Sequence, residues 1–219
     1  MPVLVFDLDG TLVDSMPALA AVATDILCRS CAFSPDVARD HYFATSGRPF
    51  ADQLQVIRPN NPSGNIALAA EFERRKQYIS VEIGLSPATR ATLIALRRRG
   101  LRLAISSSCS QPLLDLFMHT HKPPVDIALG HADGSGKGLS HFRTICGALG
   151  CQLSDLVFIG DSLFDVTVAA QAGVAFIAKV GTLVKGQFTM ASEDTRCIEH
   201  IAELDALYST MGVPDGQEH

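Results

Sequence analysis

No apolar run in this chain approaches the roughly 20 residues that a bilayer span requires, and no basic segment precedes the apolar stretch at its start. Membrane partners and export are therefore not expected, and the cytoplasm is the expected compartment. Basic residues are also scarce. Lys and Arg number 18 against 23 Asp and Glu, for a formal charge of -5, which argues against a surface for nucleic acid or other polyanions and favours a small-molecule partner. Six cysteines are too few and too unevenly spaced for a disulfide framework. Cys28 and Cys31 have C-x-x-C spacing, but no second pair lies near enough to complete four metal ligands, so they read as helix packing. Internal repeats and low-complexity segments are missing too. The Gly-rich stretch around Lys137 is not a nucleotide P-loop, because Gly138 follows the lysine and no glycine stands at the earlier position that loop needs.

What the chain does have is apolar material, 47% of 219 residues, enough for one domain with an insertion. Met1 to Phe6 is a short Val-containing run that reads as a buried strand. The pattern then turns helical: Leu19, Val22, Ala23, Ile26 and Leu27 recur at spacings of three and four, with Ser15 and Pro17 as start signals. Further helices are expected over 35–44, 50–57 and 66–81, divided by Ser46-Gly47-Arg48-Pro49 and by the breaker cluster Pro59 to Gly64, and another ends at Arg99-Gly100. Strands and helices then alternate: strands over 101–105, 125–129, 156–159 and 174–178, helices over 111–118, 139–149 and 163–172. Five strands result. This pattern predicts an α/β, doubly wound, mostly parallel Rossmann-like sheet, with core residues 1–15 and 87–219 and a small all-helical cap, 16–86, inserted after the first strand. A polar, frayed tail is expected after about Met211.

Chemistry concentrates where strands end. Asp7 and Asp9 follow the first strand directly, Gly10 lets the backbone turn sharply, and Thr11 adds a hydroxyl and an N–H. Ligands of open α/β sheets bind at that edge. Two carboxylates there suit holding a cation and moving a proton. The second strand closes on Ser106, Ser107 and Ser108, Lys137 stands in the Gly-rich loop, and Gly160-Asp161-Ser162-Leu163-Phe164-Asp165 follows another apolar strand.

Asp7-Leu8-Asp9-Gly10-Thr11 resembles the first motif of the haloacid dehalogenase superfamily, and Gly10 to Leu19 resembles its phosphoglycolate-phosphatase-like branch with a helical cap. The resemblance implies a Mg²⁺-dependent phosphatase of small phosphorylated metabolites, with Asp7 as nucleophile forming an aspartyl-phosphate and Asp9 as acid/base. It further implies that the Ser106 hydroxyl, assisted by the Ser107 N–H, and Lys137 bind the phosphoryl group. Mg²⁺ is implied on Asp7, the Asp9 carbonyl and Asp161, with Asp165 in support, positioning Lys137 or a metal-bound water. The family's third-motif lysine is usually followed by proline in this branch, whereas Gly138 follows Lys137; Lys122-Pro123 precedes the third strand, away from the expected site.

In the cap, Arg48 beside Gly47 is the candidate substrate contact. Arg74, Arg75 and Lys76 are weaker candidates, read as charges of a solvated helix face. His119, His121, His131 and His141 receive no role. Two alternatives share much of the pattern: a sugar phosphomutase of the β-phosphoglucomutase type, and a noncatalytic phosphate-binding protein. Against the mutase, Leu19 and Phe50 occupy the places where those enzymes carry a lid His and Arg. Against the binding protein, neither acid of the first motif is lost. Oligomeric state is not encoded in any feature of the sequence.

Overall fold

The computed structural model describes residues 2–191 and 195–209. Its centre is a six-stranded, wholly parallel sheet in the order β3-β2-β1-β4-β5-β6: β1 Val3–Phe6, β2 Arg102–Ser110, β3 Ile127–His131, β4 Leu156–Gly160, β5 Ala175–Lys179 and β6 Arg196–Ile198. All four β1 residues are buried, as a strand covered on both faces must be. Alternation sorts them. Leu4 and Phe6 pack with Leu103, Ile105, Leu93 and Phe117, under helices α5 (Pro87–Arg98) and α6 (Gln111–His121). Val3 and Val5 pack with Ala104, Phe142, Phe158 and Val168, under α7 (Leu139–Leu149) and α8 (Leu163–Ala172) on the opposite face.

Between β1 and α5 the chain forms four helices: α1 Met16–Cys31, α2 Pro35–Ala44, α3 Phe50–Ile57 and α4 Pro62–Glu82. They bury a cluster of their own, including Leu19, Ala23, Ile26, Leu27, Tyr42, Leu54 and Phe72. Phe50 and Phe72 stack with ring centroids 4.1 Å apart and so tie α3 to α4. Two short helices, α9 (Lys185–Ala191) and α10 (Glu203–Leu207), flank β6.

The fold class is the expected one, and several element limits differ for identifiable reasons. Helix α4 begins at Pro62, four residues before the expected start. The breaker cluster contains a helix start, because the Asn61 side chain caps the Gly64 N–H and Pro62 fills the first turn, where its missing N–H costs nothing. Strand β2 continues past Ile105 to Ser110 through a register irregularity, and β3 starts two residues later than expected. The sixth strand was not foreseen, since Arg196-Cys197-Ile198 is three residues long and has a single buried apolar side chain. Ser15 is not a side-chain cap for α1, because its hydroxyl is bonded to Asp9. The expected tail after Met211 lies outside the described residues. Among those described, no single helix is long and apolar enough to cross a membrane.

Because Phe72 is 3% exposed and stacked, Phe72→Ala is expected to cost about 3–5 kcal/mol of folding stability. Urea denaturation followed by circular dichroism measures this, and a loss below about 1 kcal/mol would show that the four-helix cluster is not packed as described.

Candidate active site

Parallel registers fix the site's floor. Phe6 lies opposite both Ile105 and Ile159, so Asp7, Ser106 and Gly160 stand at one level toward the sheet's carboxyl edge. The Asp7 N–H donates to the Ile159 carbonyl at 2.8 Å, which carries pairing one residue past the strand. The chain then turns tightly, with the Leu12 and Val13 N–H groups both donating to the Leu8 carbonyl. Gly10 makes this turn at φ +82°, and a Cβ there would lie 2.0 Å from Asp161 Oδ2, so both conformation and space require glycine. Strand β1 also lies at the sheet's topological switch, where neighbouring loops diverge and leave a crevice.

Three carboxylates meet in that crevice. Asp7, Asp161 and Asp165 each offer an oxygen within 4.8 Å of the others, and all three are buried. At an effective dielectric of about 20, each ionised pair at that separation repels by roughly 3–4 kcal/mol. Lys137 partly offsets this. Its Nζ lies 2.9 Å from Asp7 Oδ1 and 2.9 Å from Asp165 Oδ1. The other Asp165 oxygen accepts from the Ser162 N–H at 3.0 Å and the Ser162 hydroxyl at 2.6 Å, a capping box at the start of α8 that locks the carboxylate. Asp161 accepts from Thr11 Oγ1 at 3.0 Å and from the Thr182 hydroxyl.

One lysine cannot neutralise three acids, and the electrostatics reflect that. Burial pushes Asp7 well above the usual carboxylate range, with Asp165 and Asp161 adding to the rise and Lys137 opposing it. Burial and then Asp165 push Asp161 up to about 7. Lys137 is held in its charged form by Asp165 and Asp7 despite burial. An all-oxygen donor set with surplus negative charge fits a hard divalent cation, which would favour the ionised carboxylates.

Asp9 faces elsewhere. Its Oδ1 accepts from Ser15 Oγ at 2.6 Å and its Oδ2 from Lys76 Nζ at 2.5 Å. Burial alone would raise this carboxyl, but Lys76 beside it and Ser15 hold it below the usual range. Lys76 therefore does not belong to a solvated helix face: it is 7% exposed, and it reaches from α4 into the crevice. Arg74 is exposed, and Arg75 pairs with Asp25 and Glu71 on the cap's outside.

Within β2 the hydroxyls of Ser106 and Ser107 have different partners. Ser106 is fully buried, and its Oγ lies 2.9 Å from His141 Nδ1 rather than facing the crevice. It shares the face of Ala104, which packs toward α7, whereas Ser107 lies on the face of Leu103 and Ile105 and lines the cavity together with Ser108 and Cys109. The Ser107 hydroxyl accepts from the Cys109 N–H at 3.2 Å and donates to Cys109 Sγ at 3.2 Å. His141 gains a structural part that the sequence did not suggest: burial lowers it to about 4, and it is uncharged beside Ser106 at neutral pH.

The cap closes the cavity to about 40 Å³ between Asp7, Asp9, Lys76, Lys137, Asp161 and Arg48. Gly47, at φ +85°, presses so closely on the loop after β4 that a Cβ would meet Ser162 Oγ at 2.1 Å, and its carbonyl accepts from Ser108 Oγ. Its part is this close approach. The Arg48 guanidinium stacks over the Phe164 ring at 4.9 Å, across the same seam. Leu19 and Phe50 also line the cavity. Cys28 and Cys31 are free thiols packed against the cap's own core.

Comparisons with known proteins agree with this geometry. The family described as haloacid dehalogenase-like hydrolase matches residues 4–179. A phosphoglycolate phosphatase of Synechococcus elongatus is 26% identical over 182 residues, covering 81% of this chain and 83% of the relative. One from Rhodobacter capsulatus is 27% identical over 200 residues, covering 80% and 83%. Among solved structures, a hydrolase from Pseudomonas syringae superposes with TM-score 0.80 at 17% identity, covering 96% of this chain and 99% of that one, a likeness of fold.

The acid cluster makes a pH-dependent contribution to stability. Since Asp161 titrates in the fold near 7 against 3.8 for a free aspartate, its contribution is favourable at low pH and is lost as pH rises through about 7. In chelator-containing buffer, Asp161→Asn is therefore expected to gain in Tm relative to wild type as pH rises from 4 to 7, and then to level off. A pH-independent difference in thermal scans would contradict the described electrostatics.

Proposed function

The chain belongs to the haloacid dehalogenase-like hydrolases, and on that premise we propose that it is a Mg²⁺-dependent phosphatase that hydrolyses a small phosphate monoester through an aspartyl-phosphate. The observation that carries this reading is the placement of Asp7 in a buried acid cluster braced by Lys137, with Asp9 two residues away under the cap. Asp7, the Asp9 carbonyl and Asp161 would hold the cation, which supplies positive charge against the phosphoryl oxygens and the nucleophile.

Each step falls to a residue of this chain. Lys137 and Ser107, which line the cavity, orient the phosphoryl group, so that an Asp7 oxygen attacks phosphorus as the bond to the ester oxygen breaks. Asp9 is ionised on Lys76, so it must first shed that pairing and take up a proton from water or from the monoanionic ester; it then gives the proton to the departing alkoxide, and the alcohol leaves. Asp9, now ionised, takes a proton from water as that water attacks the acyl phosphate; inorganic phosphate leaves and the Asp7 carboxylate is restored. Asp165 fixes the Lys137 ammonium between itself and Asp7 throughout. The cap excludes bulk water from the acyl phosphate.

Transfer to water is favoured over transfer to a second sugar hydroxyl. Leu19 and Phe50, apolar side chains in the cavity lining, stand where the resembling mutases carry a lid His and Arg. The small closed cavity and the names of the relatives make phosphoglycolate the first ester to test.

Asp7→Asn is expected to abolish phosphate release from phosphoglycolate while thermal scans still show a folded protein, and Asp9→Asn to lower kcat by about 10²- to 10⁴-fold. Colourimetric phosphate assays with Mg²⁺ and with chelator measure both. Metal-independent release, or turnover surviving in Asp7→Asn, would overturn the mechanism.

A further inference from the structure

Lys76 and Asp9 form a buried ion pair across the seam between cap and core, and the pair fills the place that a substrate needs. Both oxygens of Asp9 are engaged, Oδ1 by Ser15 and Oδ2 by Lys76, so an ester oxygen has to compete with the Lys76 ammonium for this carboxylate. The cavity of about 40 Å³ beside them has room for a few waters only. An entering ester must therefore displace Lys76 from Asp9. A buried ammonium stripped of its partner is strongly disfavoured, so it needs another anion. Nearby, the carboxylate of Glu73, three residues back on α4, accepts from the Ser110 hydroxyl, and the other lining groups around Lys76 include apolar Met16, Leu19, Phe50 and Phe72. Lys137, bound to Asp7 and Asp165, serves the phosphoryl end.

We propose that Lys76 recognises a second anionic group on the substrate, a carboxylate or second phosphate set a few bonds from the ester oxygen, and that its transfer from Asp9 to that group releases Asp9 for catalysis. The distance limit follows from contact geometry. Asp9 must reach the ester oxygen at roughly 2.6–3.2 Å, and Lys76 Nζ starts 2.5 Å from Asp9, so Nζ lies within roughly 6 Å of that oxygen and an anionic group bound to it within roughly 9 Å. An ester with an uncharged tail leaves Lys76 on Asp9 and the latch shut. Specificity and activation are then one event, driven by exchange of ion-pair partners. The inference rests on the phosphatase reading above.

The test compares phosphoglycolate with 2-hydroxyethyl phosphate, an ester of similar size without the carboxylate, in wild type, Lys76→Met and Lys76→Arg. Wild type is expected to prefer phosphoglycolate in kcat/KM by about 10- to 100-fold, the worth of one charge-assisted contact. Lys76→Met is expected to bring that ratio near one, through a fall on phosphoglycolate and a rise in kcat on the uncharged ester, whereas Lys76→Arg retains a preference. A ratio that Lys76→Met leaves unchanged, or equal wild-type activity on both esters, overturns the proposal, and so does Asp7-dependent turnover of p-nitrophenyl phosphate with neither small ester accepted. The absence of Asp7-dependent release from every ester, p-nitrophenyl phosphate included, overturns the phosphatase reading and this proposal with it.

Discussion

Crowding of three buried carboxylates around a single lysine is the constraint on which the rest of the structure depends. Asp7, Asp161 and Asp165 come from two strand ends and one helix start, and no two of them could be held this close without compensation. The compensation dictates local sequence. Gly10 admits the Asp161 carboxylate, and Gly160 admits Asp165, whose Cβ would lie 2.6 Å from a Cβ placed at 160. Asp165 spends one oxygen on the α8 capping box and the other on Lys137, so it stabilises a helix and aims a cation at once. The residual negative charge suits the cluster to a hard cation.

Two lysines divide the pocket's work in different ways. Lys137 is pinned between two acids of the core and has nowhere to go. Lys76 is carried by α4 of the cap and, among the described residues, pairs with the core through Asp9, a partner that another anion could replace. Other contacts across the seam include the Ser108 hydroxyl on the Gly47 carbonyl, the Ser110 hydroxyl on Glu73, His121 on the Ser80 carbonyl and Arg48 stacked on Phe164, each individually weak. A closed cap held by a few exchangeable contacts is suited to a site that must exclude water during chemistry and release product afterwards.

Legibility in the sequence followed the range of the interaction. The strand before Asp7, the Asp7–Asp9 spacing and the Gly160 to Asp165 turn were readable because neighbours along the chain create them, and these segments form the site's floor. Helix starts were less readable: Pro62 ended nothing but opened α4, since Asn61 supplies a cap that the breaker pattern hid. Strand β6 was missed because its pairing to β5, not its composition, makes it a strand. The partner of Ser106 is not legible, because His141 lies 35 residues away in sequence.

By itself the sequence determined the order of strands and helices, the acids at the strand ends and the resemblance that they carry, because these depend on period and spacing over a few residues. Only the tertiary structure decided which serine faces the cavity, what His141 does, and that Lys76 is buried on Asp9 rather than solvated. The last pair is separated by 67 residues. No local pattern distinguishes Lys76 from Arg74 and Arg75 beside it; the rotation of α4, fixed by the packing of Phe72 against the cap core, decides which of three adjacent cations turns inward.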